Sequence, residues 1–269
     1  MKWDVDRAAT VLLDCEATRT DRPPITDEWP ELDQDTAYAV QDETLRRRLA
    51  RGERLIGVKL GLTSRAKQLR MNVASPLVAW LTDAMLSPAG VPVPQDRLIH
   101  PRVEPELVFV MRERLTGPGV SAAQALAAVD RVYAGAEIID SRYRDFRFTL
   151  PDVVADNASA GAFVLGPVGL SPERLDLTLE AVLVEVDGEV VDSATGAAVQ
   201  GHPAEALALA ANDLARRGHA IEAGQLVLTG GMTDAVPAPP GARVAFHFTN
   251  LGSIQLAGGQ HAARSDRTS

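Results

Sequence analysis

The segment that most constrains this chain is HPRVEPELVFV, residues 100–110, which places two carboxylates at the start of an apolar strand. Residues 107–111 form a continuous apolar run, which predicts a strand buried on both faces. Side chains two residues apart in a strand point to the same face, so Glu104 and Glu106 should lie side by side. The fold must therefore expose this end of the strand to water or neutralise two carboxylates inside the core.

A solvated strand face is the ordinary explanation for such a pair, since Glu is mostly exposed in proteins. Two observations favour burial: the following run is too apolar for a half-solvated strand, and a second apolar segment, AEII, carries another lone acid, Glu137. Buried carboxylates are costly unless a cation neutralises them. Because oxygen ligands suit a hard ion, Glu104, Glu106 and Glu137 predict a Mg²⁺ or Mn²⁺ site with positions open for a chelating substrate.

Lys59 lies between Val58 and Leu60 in the apolar segment VKLGLTS. A lysine at such a position usually extends its head group to water. If it were buried beside a metal site instead, it would have a tunable pKa and could transfer protons. The histidines form no ligand pattern; His202, in QGHPAEAL, is interpreted as a turn residue at a helix start, and His100 as structural.

Composition restricts the class of protein and its partners. Of 269 residues, 46% are hydrophobic and 23% charged, as in a globular protein with a large core. The net charge of -9 argues against a nucleic-acid partner and an anionic membrane surface. No apolar run approaches the roughly 18–20 residues that span a bilayer, and the first residues lack a signal-peptide core. With a single cysteine, Cys15, we expect no internal disulfide and a cytoplasmic location.

The order of elements predicts an α+β fold with a mostly antiparallel or mixed sheet. Helices are predicted over residues 4–16, from a cap at Asp33 or Asp35 to about residue 52, and over residues 121–132 and 203–218. Strands are predicted in RLIGVKLGLTS, in residues 103–111 and 136–140, and in AFVLG, LEAVLVEVDGEVV, QLVLTG, ARVAFHF and SIQL.

No linker-like stretch divides the chain, so we expect one large domain with a helical N-terminal extension. A helical N-terminal region over residues 1–55 is expected to pack on a metal-binding catalytic domain over residues 56–258. The polar, Gly-rich residues 259–269 are predicted to be a disordered tail.

Several motifs together carry a family resemblance over about residues 35–257. They are GVKLGLTSRAK, LIHPRVEPEL, AEIIDSRYRDF, VVADNASAG, GHPAEALALAANDLARRG, EAGQLVLTGGMTDAV and LGS. In this order they resemble the 4-oxalocrotonate decarboxylase and 2-keto-4-pentenoate hydratase family, which acts in bacterial meta-cleavage degradation of aromatic compounds. The resemblance implies a fumarylacetoacetate hydrolase-like fold, a mixed β-sandwich roll with flanking helices.

The resemblance also implies site residues. The family's metal is held by the E-x-E pair and by the Glu of the EIIDSR segment, which are Glu104, Glu106 and Glu137 here. The active-site lysine of the G-x-K-x-G-L-T-S motif falls on Lys59. The serine of ADNAS, Ser159, is expected near the substrate.

Three further residues are predicted to contact substrate. In VLTGGMTDAV, the glycines can present backbone N–H groups to an anion, so Thr229 and Gly230 are placed at the substrate. Leu77 follows Pro76 at a position where hydratases of this family have Asp, whereas related decarboxylases have an aliphatic residue. Leu77 therefore favours the decarboxylase branch, although ordinary core packing is an equally simple explanation of an apolar residue.

The implied reaction is decarboxylation of 2-oxohex-3-enedioate to CO2 and 2-hydroxypenta-2,4-dienoate. The alternatives are the sister hydratase, which adds water to that dienoate, a carbon–carbon bond hydrolase, which would need a water-activating base, and a non-catalytic partner subunit. The expected partners are a small 2-oxo dienedioate substrate, further copies of the chain in a homo-oligomer, and the sister hydratase in a complex.

Overall fold

A computed structural model describes residues 2–64, 68–69 and 76–257 of the chain. The α-helices whose bounds are described are α1 (Val5–Thr18), α2 (Gln34–Ala50), α3 (Ala122–Ala127), α4 (Leu150–Ala155) and α5 (Pro203–Arg216). Within these ranges, no helix has both the length and the apolar character needed to cross a bilayer. The predicted tail at 259–269 lies outside the described residues.

The strands of the described part form two sheets. They are β1 (Leu55–Gly61), β2 (Leu77–Thr82), β3 (Leu86–Ser87), β4 (Arg102–Met111), β5 (Val129–Ile139), β6 (Ala160–Leu170), β7 (Ala181–Val186), β8 (Glu189–Thr195), β9 (Leu226–Leu228), β10 (Val236–Pro237), β11 (Arg243–Phe248) and β12 (Gly252–Ala257). The larger sheet runs β2-β1-β9-β4-β5-β6-β3, with β10 also paired to β4, and the smaller runs β12-β11-β7-β8. Because β1 with β9 and β3 with β6 are parallel while the other pairs are antiparallel, the predicted α+β fold with a mixed sheet is confirmed.

The N-terminal helices begin at side-chain caps and pack beside the larger sheet. Asp4 accepts a hydrogen bond from the Arg7 N–H at 2.8 Å, and Asp33 accepts one from the Thr36 N–H at 2.8 Å. Each cap satisfies a backbone donor that the first helical turn leaves unpaired. Apolar side chains of α1, α2 and α4 then form one buried cluster that includes Leu77 of β2. The helical region is thereby anchored next to one edge of the sheet.

Helix α5 covers the main core and starts as predicted. The Nδ1 atom of His202 accepts a hydrogen bond from the Ala204 N–H at 3.0 Å, and Pro203 occupies the first helical position. Pro is suited to that position because its missing N–H would be unpaired there anyway. The interpretation of His202 as a residue of the helix start is therefore confirmed.

Two predicted elements differ from the structure around strand β5. The helix predicted over residues 121–132 ends at Ala127, and the strand predicted over residues 136–140 begins earlier, at Val129. The alanines of α3 suggested a longer helix, but β5 pairs with β4 along its whole length, from Val129 opposite Met111 onwards. The long apolar β4 requires a partner of equal length, and this tertiary demand overrides local helix propensity.

Strand β2 was not predicted from the sequence. All six of its residues are buried, so its apolar run shows no alternation that would identify a strand. It nevertheless pairs with β1 from Gly61 opposite Leu77 to Leu55 opposite Thr82, and forms the edge of the larger sheet.

Candidate active site

The three predicted carboxylates meet on one face of the larger sheet. In the antiparallel β4–β5 pair, Glu104 lies directly opposite Glu137, and Glu106 lies opposite Gly135. Residues that are opposite each other, or two apart on one strand, share a face, so all three glutamates project to the same side. One carboxylate oxygen from each lies within 4.8 Å of the other two, which is the geometry that a shared ion requires.

The cluster is withdrawn from water and is electrostatically unbalanced. Exposure is 8% for Glu104, 0% for Glu106 and 1% for Glu137. Burial raises the pKa of Glu106 well above its ordinary value, and the charges of Glu137 and Glu104 raise it further. Burial also raises the pKa of Glu137, against the opposing effect of Lys59. Such a group of acids in the core needs positive charge.

Unpaired oxygens in this cluster provide a test of whether a metal fits. The Oε1 atom of Glu106 and the Oε2 atom of Glu137 are buried and accept no hydrogen bond in the structure. Buried polar atoms are rarely left without a partner. A donor set made only of carboxylate oxygens suits a hard divalent ion, so the residues present fit Mg²⁺ or Mn²⁺.

Lys59 extends from β1 into the carboxylate cluster and not to solvent. Its side chain is 3% exposed, and its Nζ atom lies 2.8 Å from Oε1 of Glu137 and donates a hydrogen bond to the Ala158 carbonyl at 3.0 Å. Burial opposes the positive charge, but the three carboxylates, with Glu137 foremost, outweigh it and raise the pKa of Lys59. The lysine is therefore held as an ammonium group among the acids.

A glycine turn after β9 closes over two of the glutamates. The Gly230 N–H donates a hydrogen bond to Oε2 of Glu106 at 2.7 Å. Gly230 has a φ of +107°, so this position requires glycine, and a Cβ atom on Gly231 would lie 2.3 Å from Oε2 of Glu104 and would displace that carboxylate. The hydroxyl of Thr229 donates to the Leu107 carbonyl at 2.9 Å. In this structure the turn orients Glu106; contact of Thr229 and Gly230 with substrate stays a prediction.

Ser159 belongs to a tight turn that also supplies the carbonyl bonded to Lys59. Asn157–Ser159 forms a short 3₁₀ helix whose residues have φ values of 50°, 49° and 57°. The Ser159 side chain is buried, and its hydroxyl donates to Oδ2 of Asp156 at 3.4 Å. Ser159 is thus one residue from the Ala158 carbonyl that Lys59 bonds, while its contact with substrate stays a prediction.

Leu77 lies on the same face of the sheet as Lys59. In the β1–β2 pair, Lys59 is opposite Ala79 and Gly61 is opposite Leu77, so these side-chain positions share one side. Leu77 is 2% exposed and belongs to the apolar cluster of the N-terminal helices. Its position is compatible with a pocket wall and with core packing, the two explanations that the sequence left open.

Sequence reasoning did not identify the residues that support this arrangement. The carboxylate of Asp156 forms a buried ion pair with Arg142, and the side chain of Asn157 bonds to the backbone of Trp80. Burial raises the pKa of Asp156 to about 6, although Arg142 lowers it. The available signal was the density of polar residues in VVADNAS, which an ordinary surface loop would also show.

The histidines of the described ranges lie outside the cluster. Among the described residues, the group of acids and histidines that could share an ion consists of the three glutamates alone. His202 caps a helix, and the ring of His100 packs against Phe146 with centroids 4.9 Å apart.

Comparison with known proteins identifies the family. The family described as fumarylacetoacetate (FAA) hydrolase, C-terminal, matches residues 54–256. A 4-oxalocrotonate decarboxylase from Pseudomonas sp. strain CF600 is 44% identical over 234 residues, which cover 87% of this chain and 89% of that protein. A 2-hydroxyhexa-2,4-dienoate hydratase from Comamonas testosteroni is 40% identical over 245 residues, which cover 90% of this chain and 93% of that protein.

A solved structure extends the agreement to the whole fold. The 4-oxalocrotonate decarboxylase from Pseudomonas putida G7, complexed with magnesium and adipate, is 41% identical and superposes with a TM-score of 0.92, covering 94% of this chain and 97% of that chain. On these matches, the chain belongs to the fumarylacetoacetate hydrolase family, in the group that contains the 4-oxalocrotonate decarboxylases and the 2-keto-4-pentenoate hydratases.

Proposed function

We propose that this chain is a divalent-metal-dependent decarboxylase that converts 2-oxohex-3-enedioate to CO2 and 2-hydroxypenta-2,4-dienoate. The observation that carries the proposal is the buried cluster of Glu104, Glu106 and Glu137, whose oxygens lie within 4.8 Å of one another beside an ammonium group. The relatives named 4-oxalocrotonate decarboxylase, at 44% and 42% identity, support the choice of reaction.

The three glutamates are the proposed ligands of one Mg²⁺ or Mn²⁺ ion. When bound, the ion supplies Lewis acidity toward the 1-carboxylate and 2-oxo oxygens of the substrate. The Gly230 N–H fixes the orientation of Glu106 through its 2.7 Å hydrogen bond, so one ligand is preorganised by the backbone. The related enzyme from Pseudomonas putida G7, which was solved with magnesium and a dicarboxylate, supports this assignment.

Lys59 is the proposed catalytic residue. Loss of CO2 breaks the bond to the distal carboxylate and sends its electron pair through the C3=C4 double bond to the 2-oxo oxygen, where a proton must finally be added. An ammonium group has three N–H donors. Two are directed at Glu137 and the Ala158 carbonyl, which leaves one to stabilise the developing negative charge or to deliver the proton.

Leu77 is the proposed apolar wall of the substrate pocket. It carries no group that orients or deprotonates water, and it shares the face of Lys59. An apolar surface favours departure of a carboxylate and excludes competing water. Ala79, opposite Lys59, shares this face, whereas Trp80 belongs to the opposite face of β2.

The sister hydratase reaction is the second candidate. The 2-hydroxyhexa-2,4-dienoate hydratase at 40% identity supports it, since its similarity to this chain is close to that of the decarboxylases. A hydrolase is disfavoured because the acidic cluster contains no histidine among the described residues. A non-catalytic subunit is disfavoured because it would have no use for a costly carboxylate cluster.

The deciding experiment offers the purified, magnesium-loaded protein both 2-oxohex-3-enedioate and 2-hydroxypenta-2,4-dienoate, and follows CO2 release and water addition separately. We expect the larger kcat/KM for decarboxylation. A larger kcat/KM for hydration would assign the chain to the hydratases. Because Leu77 cannot orient or deprotonate water, a different residue would then have that role.

The remaining proposals concern organisation. We propose that residues 1–55 form a helical region supporting a catalytic domain of residues 56–258, consistent with the cluster that joins α1 and α2 to β2. A homo-oligomer, and a complex with the sister hydratase that would take up the dienoate directly, are proposed on the family resemblance. A cytoplasmic location stays a prediction from the sequence.

A further inference from the structure

The turn at Asn157–Ser159 supports an inference that rests on the proposed function of Lys59. We propose that Asn157 is a positioning residue: its side chain clamps the edge strand β2 and thereby fixes the Ala158 carbonyl that orients the ammonium group of Lys59. Asn157 itself contacts neither the carboxylate cluster nor Lys59 in the hydrogen bonds of the structure. It acts on the reaction only through its neighbour.

The clamp uses both ends of one amide. The Trp80 N–H donates to Oδ1 of Asn157 at 2.9 Å, and Nδ2 of Asn157 donates to the Trp80 carbonyl at 2.9 Å. Because β2 is the edge of the sheet, these two groups of Trp80 would otherwise lack a strand partner. The amide of Asn157 therefore replaces a backbone neighbour and locks the turn to β2.

This clamp completes a closed set of contacts that links the turn, strand β2, strand β1 and Lys59. On its other side β2 pairs with β1, where Trp80 is opposite Val58 and Ala79 is opposite Lys59. Lys59 in turn donates its hydrogen bond to the Ala158 carbonyl, the residue after Asn157. The backbone that carries the lysine and the carbonyl that receives its hydrogen bond are thus fixed to the same strand.

The turn needs such support because its backbone is unfavourable. Asn157, Ala158 and Ser159 all lie in the left-handed region, which side chains with a Cβ atom rarely adopt in succession. Strained residues of this kind persist only where the surroundings determine them. Removing one tether should therefore move the Ala158 carbonyl.

A buried ion pair holds the residues at the two ends of the turn. The Asn157 side chain is therefore the contact that fixes the residues between them. Arg142, 4% exposed, pairs with the carboxylate of Asp156 and donates to the carbonyl groups of Asp156 at 2.6 Å and Ala160 at 3.0 Å. The guanidinium thus binds the residues on either side of Asn157–Ser159. The clamp on Trp80 is the side-chain contact that fixes the turn against the strand next to Lys59.

The experiment compares Asn157→Ala with a matched variant, Asn212→Ala. Asn212 makes the same pair of bonds with one backbone residue: the Val120 N–H donates to its Oδ1 at 2.9 Å and its Nδ2 donates to the Val120 carbonyl at 2.9 Å. Both asparagines are half-buried. We expect Asn157→Ala to lower kcat about tenfold or more with Mg²⁺ stoichiometry and KM unchanged, and Asn212→Ala to leave kcat within about twofold of the wild type.

A double-mutant cycle separates positioning from general damage. If Asn157 acts through Lys59, its removal should change kcat by less than about twofold in a Lys59→Met background. A structural role would lower kcat by the same factor in both backgrounds. That result, or an equal loss of kcat in Asn212→Ala, would overturn the proposal.

The cycle can be run on whichever of the two reactions the wild type catalyses, so a hydratase result leaves it valid. If the wild type catalyses neither, the proposed function fails by itself, and the positioning is read from a crystal structure of Asn157→Ala. We expect Lys59 Nζ to lie beyond hydrogen-bonding distance of the Ala158 carbonyl. A turn that keeps this contact would refute the inference.

Discussion

Two regions hold the candidate active site by different means. On one side, strands β4 and β5 present Glu104, Glu106 and Glu137 through regular antiparallel pairing. On the other side, the turn at Asn157–Ser159 presents a carbonyl to Lys59 from three successive left-handed residues. The ladder places its side chains by register, with one hydrogen bond from the Gly230 N–H to Glu106, whereas the turn depends on an ion pair and an asparagine clamp.

The difference shows that a β ladder holds functional side chains at little cost in free energy, whereas a strained turn needs additional contacts to hold its carbonyl. A β ladder satisfies its own backbone, so the strand pair is stable whether or not its glutamates are useful. The turn forms its own backbone hydrogen bonds, but its three left-handed residues also rely on the side chains of Arg142 and Asn157. Substitutions in the ladder should therefore abolish ligand binding with the fold intact, and substitutions around the turn should change rate without loss of the metal.

The largest effect is expected from Glu106→Gln. It removes an anionic ligand and leaves an amide that cannot replace the charge, so metal binding and kcat/KM should fall by about 10³-fold or more. Titration calorimetry with Mg²⁺ and an activity assay would measure both.

Glu180→Gln is the matched control for this substitution. Glu180 is also buried, at 1% exposed, but its carboxylate bonds to Asn250. The control should lose stability and retain metal binding. Full activity of Glu106→Gln in chelator-treated buffer would refute the metal site.

Lys59→Met should distinguish the contribution of the carboxylates, which is metal binding, from that of the turn, which is the rate of reaction. It removes the group that joins the turn to the cluster but leaves all three carboxylates, so kcat should fall by about 10²-fold or more while Mg²⁺ still binds. The loss of a positive charge 2.8 Å from Glu137 should maintain or strengthen metal affinity. Loss of metal binding together with activity would show that Lys59 supports the cluster and does not act on substrate.

The pH dependence of metal affinity tests the protonation of the buried glutamates on β4 and β5. Burial raises the pKa of Glu106 and of Glu137, so in the metal-free protein these groups keep protons at higher pH than ordinary glutamates do. Mg²⁺ must displace those protons, and affinity should rise with pH by about tenfold per pH unit for each proton released. Calorimetry in two buffers of different ionisation enthalpy would count the protons, and zero release would contradict the raised pKa values.

The smallest effect is expected from Ala158→Gly. Glycine adopts a φ near +49° without strain, which favours the variant, but the buried methyl group is lost, at about 0.8 kcal/mol. The two contributions oppose each other, so the free energy of unfolding should change by less than about 1 kcal/mol. Denaturant unfolding and kcat would be measured together. A large loss of kcat here would mean that backbone strain, and not the tethers, positions the carbonyl.

Much of the fold was predictable because local patterns agreed with the tertiary structure. The cap at Asp33 and the start of α5 after His202 each have a local physical cause. The errors occurred where long-range pairing decided the outcome. Residues 129–132 follow an alanine-rich helix and became strand because β4 needed a partner, and β2 is buried on both faces and therefore shows no periodicity.

The sequence by itself determined that Glu104 and Glu106 share a face, because the two-residue period of a strand is a local property. It also indicated a third acid, Glu137, and a lysine in an apolar segment. Only the tertiary structure decided that Glu104 stands opposite Glu137 and that Lys59 reaches both Glu137 and Ala158, a residue 99 positions away. Register between strands and the partner of a buried charge depend on how distant segments pack, which no local pattern encodes.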